Sequence, residues 1–190
     1  MSIDTESAGY SVDTPKARFH WEPKRHSSNT VFPPKGLTLT LNFKPPESAI
    51  SKYNGLTISV HYEMYQGIPV LAKWVTVNNK IYDKVIVDSL ECEILAVTEA
   101  EKRRLRVESN YAFDGMNTTH WGSDSEYLTQ TDYLYQMPIL LTSKYPLGPG
   151  VHLKPSEQFE SFRTIEIIYD SDDRDFDCMI HVILPQKDWV

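Results

Sequence analysis

LTISVHYEMYQGIPVLAKWVTV, residues 56 to 77, reads as two strands folded about Gln66-Gly67. In the first, Leu56, Ile58, Val60, Tyr62 and Met64 share one face, and Thr57, Ser59, His61, Glu63 and Tyr65 share the other. Successive strand side chains point to opposite sides, so this period of two marks a half-buried strand. Gly67 supplies the backbone freedom for the reversal, and Pro69 fits at the start of the return, where its missing N–H does no harm. The returning strand is apolar on both faces, with Val70, Ala72 and Trp74 on one and Leu71, Val75 and Val77 on the other. A strand covered on both sides belongs in the middle of a layered structure. The hairpin is therefore expected to form the core of a β-sandwich, and it contains no catalytic motif.

Outward from the hairpin the pattern stays β. Leu37, Leu39, Leu41 and Phe43 alternate with Thr38, Thr40 and Asn42, and Pro45-Pro46 stops that strand. Lys84 to Val97 reads as a long strand with Ile86, Leu90, Cys92, Ile94 and Ala96 on one side. A charged hairpin at Thr98 to Lys102 is expected to lead into Arg104 to Phe113, with Leu105, Val107, Ser109, Tyr111 and Phe113 inward. Asp114 to Thr131 reads as a long polar loop holding His120-Trp121, and Leu134 to Thr142 as a short strand broken at Pro138. Tyr145-Pro146-Leu147-Gly148-Pro149-Gly150 reads as a rigid turn, since proline fixes φ and glycine takes positive φ. Gln158 to Tyr169 is the last strong strand, with Phe159, Ser161, Arg163, Ile165, Ile167 and Tyr169 on one face. No segment keeps a 3.6-residue period over three turns. The expectation is all-β: two packed antiparallel sheets with at most one or two short helical turns.

The chain's 190 residues suit one domain, large enough to bury about 70% of the surface its unfolded form exposes. Residues 1–35 are polar and proline-broken and read as an extended arm, residues 36–175 as the sandwich, and 176–190 as a divergent tail. A net charge of −7 without a basic face argues against nucleic acid as a partner, because phosphate binding needs clustered Lys and Arg. The Lys102-Arg103-Arg104-Leu105-Arg106 run, which follows Glu99 and Glu101 and opens a strand, reads as a solvated hairpin. Cys92 and Cys178 have no metal-ligand or CxxC spacing, and Cys92 reads as a small buried hydrophobe. No metal site and no cofactor are expected. The opening MSIDTESAGYSVDTPK lacks a basic and then apolar leader, and no apolar run approaches membrane-spanning length, so neither a signal peptide nor a membrane partner is expected. A cytoplasmic location is the expectation that follows.

Several fragments together carry a resemblance: Tyr62-Glu63-Met64-Tyr65-Gln66-Gly67-Ile68-Pro69, Lys73-Trp74, Glu93-Ile94-Leu95-Ala96-Val97, His120-Trp121, and Lys154-Pro155 leading to Glu160-Ser161-Phe162-Arg163. The chain resembles the N-terminal β-supersandwich domain of α-galactosidase (melibiase)-related glycoside hydrolases over roughly residues 15 to 174. The resemblance implies a supersandwich of the galactose-mutarotase type. In that family a TIM barrel following the β-domain supplies two catalytic carboxylates. Phe176 to Val190 looks unlike the continuation into that barrel, so no catalytic residue carries over and no activity of the chain alone is expected. The partners implied are the barrel or a second copy of the chain, with a carbohydrate as ligand.

Two residue groups stand out as sites. Trp121, with His120, Asp114 and Asp132 near it in sequence, fits a sugar site, where an aromatic face and a few polar groups engage hydroxyls. The bland reading is a tryptophan anchoring its loop. His61 and Glu63 lie two apart on one strand face, as an acid and base would on the sheet of an aldose mutarotase, which this architecture also resembles. Their bland reading is a solvent-facing polar row. Trp74 reads as core, Trp21 as a staple for the arm, and Arg163 as an inward charge needing Glu91 or Glu93 as partner.

Overall fold

The computed structural model describes residues 5–20, 22, 31–46, 53–111, 118–123 and 139–169. Phe113, Asp114, Asp132, Pro138, Cys178, Trp21, Trp189 and the 176–190 tail lie outside them. In chain order the elements are β1 (Glu6–Asp13), β2 (Gly36–Lys44), β3 (Leu56–Tyr65), β4 (Ile68–Asn79), β5 (Val85–Val97), α1 (Glu99–Lys102), β6 (Leu105–Ser109), β7 (Thr119–Ser123), β8 (Ile139–Leu153), β9 (Gln158–Glu160) and β10 (Thr164–Ile168). Among the described residues they form a seven-stranded sheet, β1-β2-β3-β4-β10-β6 with β9 also on β4, and a three-stranded sheet, β5-β8-β7. Every pairing is antiparallel. The all-β sandwich expected from the alternation is what forms.

The central hairpin folds as its sequence dictates. Tyr65 pairs with Ile68 across Gln66-Gly67, and Gly67 takes φ 75°, the left-handed region that a side chain disfavours. The turn is locked from outside by the Gln66 N–H, which donates to the Lys35 carbonyl at 2.7 Å. Gly36 opens β2 there because the Met64 carbonyl passes where its Cβ would stand, 2.1 Å away. Directly paired residues share a face, so the register sets Ile58 beside Val77 and His61 beside Trp74. The first of these faces meets the small sheet: Val77 packs with Val87 and Leu153, flanked by Leu56, Ile58, Val85, Val151 and Phe159.

Where backbone pairing breaks, side chains replace it. The expected single strand from Gln158 to Tyr169 is two, both on the same edge of β4, separated by Ser161 to Arg163. In the gap the Val75 N–H donates to Ser161 Oγ at 2.9 Å, so a hydroxyl stands in for the lost carbonyl. Asn110 Oδ1 likewise accepts from the Arg163 N–H at 2.6 Å. Asn79 ends β4 fully buried; its amide donates to the Asp83 and Leu153 carbonyls while its oxygen accepts from the Ile81 N–H. The Leu153 contact ties the two sheets together.

Five expectations are corrected. Thr98 to Lys102 is a helical turn, not a hairpin: Thr98 and Glu101 form a capping box, and β5 and β6 lie in different sheets. Tyr145 to Gly150 is not a free turn but a bulge within β8, where Ser89 pairs with Pro149 and Glu91 with Lys144, leaving Leu147 in solvent. A bulge in β5 between Glu91 and Glu93 shifts its phase, so Val87, Cys92 and Glu93 are buried while Ile86 and Ile94 are exposed. Part of the stretch read as an arm, Glu6 to Asp13, is a strand on β2. Finally, Thr119 to Ser123, read as loop, pairs with β8.

The sandwich interior holds charge. Lys73 reaches Glu93 at 2.8 Å, both deep between the sheets, and Glu93 also hydrogen-bonds Glu166 from β10. Burial, then the hydrogen bond and charge of Glu93, push the Glu166 carboxyl up to about 8, against which Lys73 acts weakly. The protonated form of Glu166, which can donate to Glu93, is thereby favoured. Cys92 behaves as expected of a buried hydrophobe, its thiol pushed up to about 11 by burial.

Two outcomes test this account. Asn79→Ala strands a buried N–H and two carbonyls, and chemical denaturation should show a loss of about 2–4 kcal/mol. For Glu166 the folded state holds a proton that the unfolded state releases near 4.5, so its contribution is greatest below that and is lost as pH rises to about 8. The stability of the parent chain relative to Glu166→Gln should therefore fall across that window and level off on either side.

Candidate functional site

The opposite face of the large sheet carries the densest set of functional side chains. Alternation on β2 and β3 places Thr38, Thr40, Asn42, Ser59, His61 and Glu63 there, in register with Ala72, Trp74 and Thr76 of β4. His61 lies flat on Trp74, with centroids 4.8 Å apart and rings 11° from parallel. Its Nδ1 meets Thr40 Oγ1 and its Nε2 meets Thr76 Oγ1, each at 2.9 Å. In a neutral ring one nitrogen donates and the other accepts, and two hydroxyls satisfy either tautomer. Burial lowers the imidazole's pKa from 6.5; Glu160 raises it and Arg163 lowers it by smaller amounts.

Glu63 is not part of a solvated row. It is 4% exposed, and its carboxylate accepts from Thr38 Oγ1 at 3.0 Å, from the Tyr65 hydroxyl, and from Arg163 Nη1 at 3.4 Å. Burial and the Glu63 charge hold the Tyr65 phenol well above its usual range. Arg163 projects from the irregular Ser161 to Arg163 link and stacks on Trp74, its guanidinium carbon 3.5 Å from the ring centroid. Its carboxylate is thus Glu63 and not Glu91 or Glu93, because Arg163 turns to the face away from the small sheet. Trp74 is buried as expected, but beneath His61 and Arg163 instead of in the sandwich core. Above this layer Arg18, from the segment leading out of β1, pairs with Glu160.

His61 and Glu63 therefore share a face, as their spacing predicts, yet no hydrogen bond joins them and each is held by other groups. Of the second predicted set, Asp114 and Asp132 lie outside the described residues, and His120 and Trp121 do not share a face. On β7, His120 pairs with Thr142 and Trp121 with Leu141, so the two neighbours point to opposite faces. His120 is exposed; Trp121 is half-buried beside the fully buried Leu141, with Lys102 Nζ 5.4 Å from its ring centroid. Sequence reading missed Arg163, Trp74, Thr40, Thr76 and Glu160 as members of the His61 layer. The parity of the β3 and β4 residues could have placed Trp74 there; Arg163 and Glu160 arrive only through tertiary pairing. Among the described residues no group of three or more His, Cys, Asp or Glu is placed to hold a metal ion, and no helix is long and apolar enough to cross a membrane.

No family model and no curated protein sequence matches the chain. Among the solved structures it is similar to are α-galactosidases. That from Lactobacillus brevis superposes with a TM-score of 0.47 at 12% identity, over 87% of this chain and 27% of that one. The GH36 α-galactosidase AgaA from Geobacillus stearothermophilus gives 0.46 at 10% identity, over 90% and 28%. AgaB from the same organism gives 0.46 at 11%, again over 90% and 28%. The chain thus spans little more than a quarter of the length of each. At such identities and TM-scores no residue of this chain inherits a role from those enzymes.

The layer makes a titration prediction. By NMR, His61 should titrate below 6.5. Glu160→Gln should lower its pKa further and Arg163→Gln should raise it, since they remove a nearby negative and a nearby positive charge respectively. Shifts in the reverse directions would contradict the arrangement.

Proposed function

We propose that the chain acts as a non-catalytic β-sandwich accessory domain of an α-galactosidase-like glycoside hydrolase, packing against a catalytic barrel. The family comes from the sequence resemblance centred on Tyr62 to Pro69. The observation that carries the docking role is an uncovered apolar strip. Seven strands face three, and the small sheet leaves the outer part of the inward face bare. There the register aligns Tyr10 with Leu41, Val12 with Leu39, and Leu37 with Met64. Tyr10 is 73% exposed, Val12 55% and Met64 53%, so one contiguous apolar row of β1, β2 and β3 faces solvent. Exposed apolar surface of this contiguity is a mark of an interaction site. In this reading sugar contact falls to Trp121 at the edge of the small sheet, and the polar groups on β3 serve the fold instead of acid–base turnover.

The purified chain should bind a hydrophobic dye or self-associate by light scattering. It should also co-purify with a co-expressed α-galactosidase barrel lacking its own β-domain. Val12→Asp with Leu37→Asp should reduce both signals several-fold, while circular dichroism stays β. A dye-silent monomer that ignores the barrel would overturn the docking role. Galactose should perturb Trp121 fluorescence; an unchanged spectrum would remove the sugar contact.

A further inference from the structure

Arg163 is under-partnered for a charge so placed. A guanidinium presents its five donors in one plane. Its central carbon lies 3.5 Å from the Trp74 ring centroid, so the indole covers the guanidinium there. On one edge, Nη1 meets Glu63 only at 3.4 Å, and Glu63 already accepts from Thr38 and Tyr65. On the other edge, Nε is buried with no hydrogen-bond partner among the described residues. A buried charged donor left unpaired is destabilising, and the partner that fits an Nε edge is a planar carboxylate.

The nearest internal carboxylate does not fill the place. Glu160 lies opposite Thr76 on the same face, and its charge acts on both His61 and Arg163, yet its oxygen is taken by Arg18. Arg18 belongs to the segment from Thr14 to His20, which touches the sheet again where the Pro15 ring lies against Gly36 and where Phe19 stacks on Phe32 at 5.0 Å. The Arg18–Glu160 pair is little more than a third exposed on each side, open enough for solvent and salt to weaken it. On the same sheet face the Thr40 and Thr76 hydroxyls hold the two His61 nitrogens, and each hydroxyl keeps further hydrogen-bonding capacity for a hydroxylated ligand.

We propose that the Nε edge of Arg163 is a binding site for a small hydroxylated carboxylate, a sugar acid by chemical class, with the Arg18–Glu160 pair as the latch over it. The ligand's carboxylate takes the vacant donor edge while its hydroxyls meet the Thr40, His61 and Thr76 layer. Opening the latch moves the Thr14 to His20 segment aside. The site is on the opposite face from the apolar strip and stands independently of the docking role.

The test uses the full chain with Trp21, Trp121 and Trp189 changed to Phe, so that Trp74 alone reports. At constant ionic strength it is titrated with glucuronate, and with glucose as the uncharged control. The expected result is a saturable fluorescence change with glucuronate only, several-fold tighter in the double variant Arg18→Ala, Glu160→Gln, which removes the latch and its competing carboxylate together, and absent in Arg163→Gln. Arg163→Gln is scored only if circular dichroism shows it folded; otherwise the double-variant comparison decides. No saturable response in either the parent or the double variant, or an equal response to glucose, would overturn the proposal.

Discussion

Lys73 and Trp74 are neighbours in β4, point to opposite faces of the sheet, and each organises a buried cluster of charge. On the inward face Lys73 holds Glu93, which in turn hydrogen-bonds Glu166. On the outer face Trp74 carries Arg163 and His61, and Arg163 leans on Glu63. The constraint behind both is that β4 is buried on its two sides, so any charge within reach must be paired or neutralised. The inward cluster raises the pKa of Glu166. The outer one lowers the His61 pKa and closes Glu63 into a set of three donors. Around this strand the chain gathers β3, β9 and β10 as direct neighbours, which is why the break at Ser161 to Arg163 matters: it lets one edge of β4 receive two short strands and aims Arg163 outward.

The unequal sheets give the molecule two surfaces of different character. Toward the small sheet, apolar packing about Val77, Val87 and Leu153 extends until cover runs out, and the residues past that limit keep the inward pattern without a partner layer. Tyr10, Val12, Leu37 and Met64 are patterned as core side chains and placed as surface ones. Away from the small sheet the face is closed by its own polar network, with threonine hydroxyls serving both nitrogens of His61. One face thus leaves apolar side chains uncovered, and the other satisfies its polar groups largely from within. The aromatic group of Tyr111, Tyr145, Phe159 and Phe162 fills the end of the sandwich where the β8 bulge and the β9 to β10 break come together, and the Tyr145 hydroxyl accepts from the Phe162 N–H there. That contact leaves the phenol, raised by burial to about 12, as a structural group.

Residue order alone determined the β2, β3 and β4 strands, their faces and the turn at Gln66-Gly67, because a period of two and a glycine in a two-residue turn are local properties. It also determined that β4 would lie inside a layered fold, since apolar side chains on both faces need cover wherever it comes from. What lay beyond it was anything set by pairing between distant segments. The phase of β5 depends on a bulge that only the β8 register creates. The Pro146 to Gly150 stretch looked like a turn because its φ preferences allow one, and strand neighbours drew it into β8. His120 and Trp121 looked like one site because they are adjacent, and the strand they join sends adjacent side chains apart. Arg163 found Glu63, a hundred positions away, instead of a partner on β5, because the break before β10 decided which face it joined. Local periodicity is written in the chain; the choice of face at a break, and the extent to which one sheet covers another, belong to the assembled tertiary structure.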